Sequence, residues 1–310
     1  MTSTEERTVP TLLYQRARVS TRDQRIFVLK LAVVVALIIV GGALALQANW
    51  LAMIAGFIVL GAVYTHAVEL QHQCLHHSAF TKARPHRPVG VLLGLPLLVS
   101  YSHYRVRHLQ HHKYLGSPQD SEFFGFDTRQ PLTFRALFRG LFDYGRVLVV
   151  IREIIRSYRG TWTYDLGQIS DRRRREIVSE YRLIGAVIAV TAVVCLAGFG
   201  EYAVRLWIAP LVFAVPMHFL VELPEHILCD SETSDVLRNT RSITGSWIST
   251  WFTNGNNLHV EHHAAMTVPI NRLRERHSEV QELATYVDHT YAAFFRRVLA
   301  EARRNAGAAT

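Results

Sequence analysis

Four apolar runs constrain this chain before any other feature does. The first, "IFVLKLAVVVALIIVGGALAL" at residues 26–46, and the second, at 51–70, are separated by only "QANW". About 20 apolar residues cross a bilayer as a helix, so each run is long enough, and so short a link permits only a tight helical hairpin. Runs at 183–199 and 203–223 repeat the arrangement around "GE". The first run exceeds the roughly 7–15 apolar residues of a signal-peptide core, so it is expected to stay as a span.

Charge then orients the spans. The chain has 310 residues, 49% of them hydrophobic, and a formal charge of +9. Arginine and lysine crowd residues 1–30, 71–182 and 272–304, while the two short links carry almost none. The positive-inside rule therefore places both termini and the large polar parts in the cytoplasm. The basic excess is thus membrane topology and implies no nucleic-acid surface. Cys74, Cys195 and Cys229 are odd in number and scattered, which suits packing rather than a disulfide framework. Residues 89–101, "VGVLLGLPLLVSY", are too short to span and hold Gly94 and Pro96, which predicts an interfacial or re-entrant piece. Over 134–158, charged residues at steps of three, four or seven alternate with apolar ones. This predicts one basic amphipathic helix, lying on anionic lipid or packed as a soluble surface helix. The expected fold is an all-α membrane protein in one domain, 1–310, with four transmembrane helices. A cytoplasmic helical cap, 71–182 and 224–310, carries the histidines.

Sixteen histidines are the compositional excess that asks for chemistry. "HQCLHH" holds His72, His76 and His77, "HLQHH" holds His108, His111 and His112, and "HVEHH" holds His259, His262 and His263. Residues three and four apart share a helix face, so each group aims its rings one way. His226 in "VELPEHIL" follows Glu222 by one turn at the end of the fourth run. A tetrahedral zinc site takes four ligands, and eight or nine convergent imidazoles exceed that, which argues for two metals. Spacing selects His76 over His77, which is turned by about 100° from the shared face. Isolated His66, His86, His277 and His289 read as hydrogen-bonded surface residues.

The order of these features resembles the membrane-bound fatty acid desaturase and hydroxylase superfamily: two spans, two histidine boxes, two spans, a third box. The resemblance runs from about residue 64 to 277, with "HQCLH", "HLQHH" and "NLHVEHHAAMTVPINRL" similar to the three boxes. It implies two iron ions held by the box histidines, with His226 in the place of an additional ligand. It also implies O₂ as co-substrate and two electrons per turnover from outside the chain. Glu222 is similar in place to a polar residue that in some members contacts water on a metal, which makes it the candidate catalytic residue. Asn239 to Ser242 in "NTRS", and Asn254, Asn256 and Asn257, resemble residues that support the ligands. Gln73 stands where the family often has an acidic residue.

The implied reaction is oxidation of an unactivated C–H bond in a lipid acyl chain, with desaturation ranked first. Hydroxylation, ketolation and oxidative decarboxylation share the scaffold. No Rossmann glycine pattern, cluster-binding cysteine motif or haem domain is present, so the donor is expected to be another protein, a ferredoxin with its reductase. Two other classes fit less well. An intramembrane zinc protease wants a glutamate beside its first histidine, where Gln73 stands. A metal transporter places ligands midway along its spans, whereas these lie at the ends.

Overall fold

The structure, a computed structural model, describes residues 12–121 and 130–307. The first eleven residues of the basic N-terminal lead, expected in the cytoplasm, lie outside the described residues.

Helix α1 (Thr21–Ala45) starts at a capping box in which the Ser20 and Asp23 side chains satisfy each other's backbone N–H groups. Asn49 caps α2 (Trp50–Leu75), and the two helices pack as the hairpin that the short link required. Their contact is very close: a Cβ added at Gly56 would lie 2.2 Å from the Ala45 backbone nitrogen. Small residues let membrane helices approach in this way. Helix α2 is the central element. Thr65 Oγ1 donates to the Ala214 carbonyl and Tyr64 Oη to that of Leu206, which binds α2 to the far end of the fourth run.

Helix α3 (His86–Gly94) and a single 3-10 turn (Leu95–Leu97) form the short apolar piece. It breaks at Leu98, whose φ is +60°, before α4 (Tyr101–Tyr114) begins. The stretch expected as one amphipathic helix is two, α5 (Phe134–Leu141) and α6 (Arg146–Tyr158), because the chain leaves helical geometry between Phe142 and Gly145. Each keeps an exposed apolar face, with Phe138 on α5 and Leu148, Ile151 and Ile155 on α6. The third and fourth runs lie in one helical stretch, Asp171–Glu222. It comprises α7 (Asp171–Val194), a π-turn, α8 (Gly200–Ala203), a second π-turn and α9 (Ala209–Glu222). The stretch kinks at Gly198, where φ is +91°, two residues before the expected link "GE". Three helical stretches among the described residues are thus long and apolar enough to cross a membrane. Their outer faces are apolar and bare, Leu196 being 89% exposed. In water such a surface would aggregate; in a bilayer it is the solvated face.

The remainder comprises the short helices α10 (Val236–Asn239), α11 (Trp247–Phe252), α12 (His259–Ala264) and α13 (His277–Leu283), the longer α14 (Tyr291–Gly307), and 3-10 segments at Leu12–Tyr14 and Ile270–Arg276. The described residues are all-helical apart from one pair of two-residue strands. Strands β1 (Ser242–Ile243) and β2 (Val287–Asp288) pair in parallel and hold the segment that runs behind the third histidine group.

Candidate metal centre

Each histidine group is delivered by a differently fastened element. Helix α2 continues past the apolar run to Leu75, carrying His72, with His76 as its C-cap. The next residue, His77, adopts φ +55° and ends the helix. Gln73 donates to the Ser78 carbonyl and accepts from Asn254 Nδ2, so it ties this turn to the loop before α12. Helix α4 is fixed at its N-terminus by the buried Glu180 of α7. That carboxylate accepts from the Ser102 backbone N–H and from the hydroxyls of Ser100 and Ser102, and it pairs with Arg87. A carboxylate there also meets the positive end of the helix dipole. His226 lies in the turns after α9 and α12 presents the third group.

The rings converge as two buried sets. His72, His76, His108 and His262 form the first, and His111, His226, His259 and His263 the second; within each, the ligand atoms lie within 4.8 Å of one another. His112 completes the first set, its Nε2 being 3.0 Å from that of His108 and 3.1 Å from that of His262. The sets adjoin, since the His112 and His263 rings stack at 4.1 Å. All nine histidines put forward as metal candidates therefore meet.

Whether a metal fits can be decided from the nitrogens. In the second set, His226 Nδ1 donates to the Asn239 carbonyl, His111 Nδ1 to Asp120 Oδ1 and His259 Nδ1 to Asn256 Oδ1. A ring that uses its proton on that side turns a bare Nε2 lone pair inward. Three such lone pairs face each other at 3.1 Å, from His226 to His111 and to His259. No proton lies between them to make a hydrogen bond, and a cation satisfies all of them at once. Metal–nitrogen bonds of about 2.1 Å put neighbouring ligand nitrogens roughly 3.0–3.4 Å apart, close to these separations. Burial, reinforced by the neighbouring rings, holds His76, His112, His259, His262 and His263 well below the usual imidazole pKa. Neutral imidazole is the ligating form.

A fatty acid desaturase family profile matches residues 48–295. The chain belongs to the fatty acid desaturase family. With its apolar helices, this membership makes it an integral membrane protein. No curated protein matches the chain.

Around the two sets, this desaturase-family fold places residues that the sequence did not single out. Asp120 holds His111, Glu261 holds His277 Nδ1 at 2.6 Å and accepts from Ser242 Oγ, and Glu225 brings Oε2 to 3.4 Å from His259 Nε2. Glu225 also accepts from Asn256. Two of the loop asparagines thus touch ligand rings through Asn239 O and Asn256 Oδ1. Asn257 instead donates to the Ile243 carbonyl.

The remaining histidines stay outside both sets. His77 stacks on His86 at 4.6 Å, and His86 accepts from the Phe80 N–H. His66 stacks on Trp251, and His277 joins Glu261. His66, His86 and His277 are buried rather than at the surface, because each is enclosed by an aromatic or carboxylate partner; His289 is exposed as expected. Glu222 lies outside the sets too. It pairs with His218 at 3.1 Å, and both line a cavity of about 440 Å³ that His108 also lines. His218 carried no signal beyond its four-residue step to Glu222.

Proposed function

We propose that this chain is an O₂-dependent di-iron enzyme that oxidises an unactivated C–H bond in a lipid acyl chain, with fatty acyl desaturation as its reaction. The observation that carries this reading is the pair of adjoining imidazole sets, inside a chain of this family and beside a half-apolar cavity. Nitrogen ligation with open positions suits O₂ chemistry, and bound iron would supply the oxidant for C–H cleavage. The first iron would be held by His72, His76, His108, His112 and His262, the second by His111, His226, His259 and His263. Desaturation removes two hydrogens from the chain and, with two electrons and two protons, takes O₂ to two waters. The electrons come from an external protein, a ferredoxin with its reductase, drawn to the basic cytoplasmic face.

The chain's own residues supply placement. Val68, Leu98, Val215 and Phe219 give the cavity an apolar wall along which an acyl chain can lie. Glu222 is the catalytic candidate, a carboxylate in the same chamber as His108, able to hold a proton beside the reacting chain.

The topology belongs to the same proposal. A straight helix of 52 residues would be about 78 Å long, against about 30 Å of hydrocarbon. The break at Gly198 therefore divides Asp171–Glu222 into two crossings, giving four spans with both termini and the centre in the cytoplasm.

The test is expression in a bacterial host with a matched ferredoxin system, followed by mass spectrometry of the lipids and metal analysis of the purified protein. Two irons per chain and an O₂-dependent product two hydrogens lighter are expected. A product heavier by one oxygen would mean hydroxylation instead, and one zinc with no O₂-dependent product would sink the oxidation reading.

A further inference from the structure

Pro216 sits inside α9 and has no N–H to give the carbonyl one turn before it, that of Val212. A bare carbonyl is costly in hydrocarbon, where no water can satisfy it. The missing donor comes from outside the helix: Tyr144 Oη, in the link between α5 and α6, donates to the Val212 carbonyl at 3.0 Å. Val212 is 56% exposed and belongs to the fourth apolar run, about 15 Å along the helix from Glu222. The link is therefore docked on the lipid-facing side of α9, at hydrocarbon depth. At the far end of α6, Tyr158 Oη donates to the carbonyl of Arg182, where the third run begins. Two helices pinned to the spans in this way, with Phe138, Leu148 and Ile155 turned outward, lie in the leaflet itself. The cavity beside the first set opens at the same place. Gly140, Asp143, Arg146 and Val150 line it from α5, the link and α6, and among its described lining residues only Gly145 and Val149 are exposed.

We propose that the cavity is entered from within the bilayer, between the α5–α6 link and α9, and that its substrate is an acyl chain still esterified in a phospholipid of that leaflet rather than one delivered by a water-soluble carrier. The inference rests on reading this cavity as the substrate chamber of the proposed oxidation. An opening at hydrocarbon depth is out of reach of a carrier in water, and it stands beside the chains of neighbouring lipids. A chain that slips from the bilayer into the apolar-walled chamber exchanges one apolar surrounding for another, so it crosses no water on the way to His108. Charge points the same way. Residues 134–159 carry six arginines against Asp143 and Glu153, an excess that suits the phosphates from which such chains hang, and Arg146 lines the chamber next to its opening.

The test is photo-crosslinking of the full chain reconstituted in phosphatidylcholine vesicles. One probe is phosphatidylglycerol with a diazirine midway along an acyl chain; the other is the same chain as a thioester of acyl carrier protein. Peptide mass spectrometry locates the labels. The phospholipid probe is expected to label Val215 and Phe219 inside the chamber as well as outer-face residues such as Val190 and Val193, and the carrier-bound probe to leave the chamber unlabelled. A Cβ added at Gly145 would meet only Asp143 Oδ1, at 3.4 Å, so Gly145→Trp places a large side chain at the opening without displacing the backbone. It should lose the chamber labels and keep those at Val190 and Val193. A monodisperse profile and an unchanged melting temperature show that the variant is folded; should it not be, Val149→Trp is read instead, with the same expectation. The proposal is overturned if the phospholipid probe labels outer faces alone, if the carrier-bound chain labels the chamber as strongly, or if chamber labels survive in the folded variant. Labelling needs neither O₂ nor electrons. Chamber labels without an O₂-dependent product would therefore refute the oxidation alone, and oxidation of carrier-bound chains with no phospholipid label in the chamber would refute the route alone.

Discussion

The two imidazole sets are alike in burial and differ in what stands behind them. In the second set three of four rings are held from the back, by Asp120, the Asn239 carbonyl and Asn256, while Glu225 approaches His259 from the front. In the first set, His76 Nδ1 is buried with no partner among the described residues, and its ring packs edge to face on those of His108, His112 and His262. Hydrogen bonds behind a ligand fix its tautomer and raise its basicity. In the second set the protein therefore imposes the orientation of three rings, whereas at His76 of the first set a metal would help to complete it.

Removing a ligand gives the largest effect and tests whether the sets are separate sites at all. His262→Ala should lower iron at the first set and abolish turnover, while His259→Ala should do the same through the second. Metal analysis of the purified variants should show about one iron remaining in each. If both irons left together in either variant, the sets would be one cooperative centre and the contrast between them would lose its meaning.

Next in size is the backing itself. Asp120→Asn keeps shape but replaces a carboxylate acceptor with an amide, and loss of such a partner typically costs 10–100-fold in metal affinity. Chelator competition should show the weakening at one of two sites, with the first set unchanged. Equal loss at both would mean that Asp120 supports α4 as a whole rather than His111.

These partners also show where sequence reading stops. The convergence of the three box groups was legible because helical spacing makes i, i+3 and i+4 rings share a face, and that spacing also separates His76, which joins the first set, from His77, which stacks on His86. Asp120 was not, since it reaches His111 from the loop "GSPQD", where acidic residues are ordinary. Glu261 sits between ligands in "HVEHH" yet points to Ser242 and His277, a direction set by β1 and α13. Long apolar runs announced the helices and the hairpin of α1 and α2. The break between α5 and α6 was missed because apolar and charged residues keep their alternation across it.

A smaller effect is expected from acidification of the metal-free protein. His76, His112 and His262 in the first set, and His259 and His263 in the second, are held below the usual imidazole pKa chiefly by burial. His103 is pushed down to about 4 by burial, with Arg107 beside it. Below pH ~6.5 the unfolded chain takes up protons that these folded rings refuse, so stability falls as pH falls and is level above neutrality. Melting of chelator-treated protein across pH 5 to 8 should show this slope, and His103→Gln should make it shallower. A midpoint that rose on acidification would contradict the burial of these rings.

The smallest effect marks the edge of the first set. His77 follows His76 directly, stacks on His86 and adopts φ +55°, a left-handed conformation that costs a histidine more than an asparagine. His77→Asn should therefore keep both irons and full turnover, with a stability change of less than about 1 kcal/mol, since the lost ring stacking is offset by an easier backbone. His76→Asn, one residue away, should empty the first set. Metal content and melting of the two variants side by side decide the matter: iron lost from His77→Asn would move the boundary of the set by one residue. It would also make the turn after α2 part of the ligand cage rather than its support.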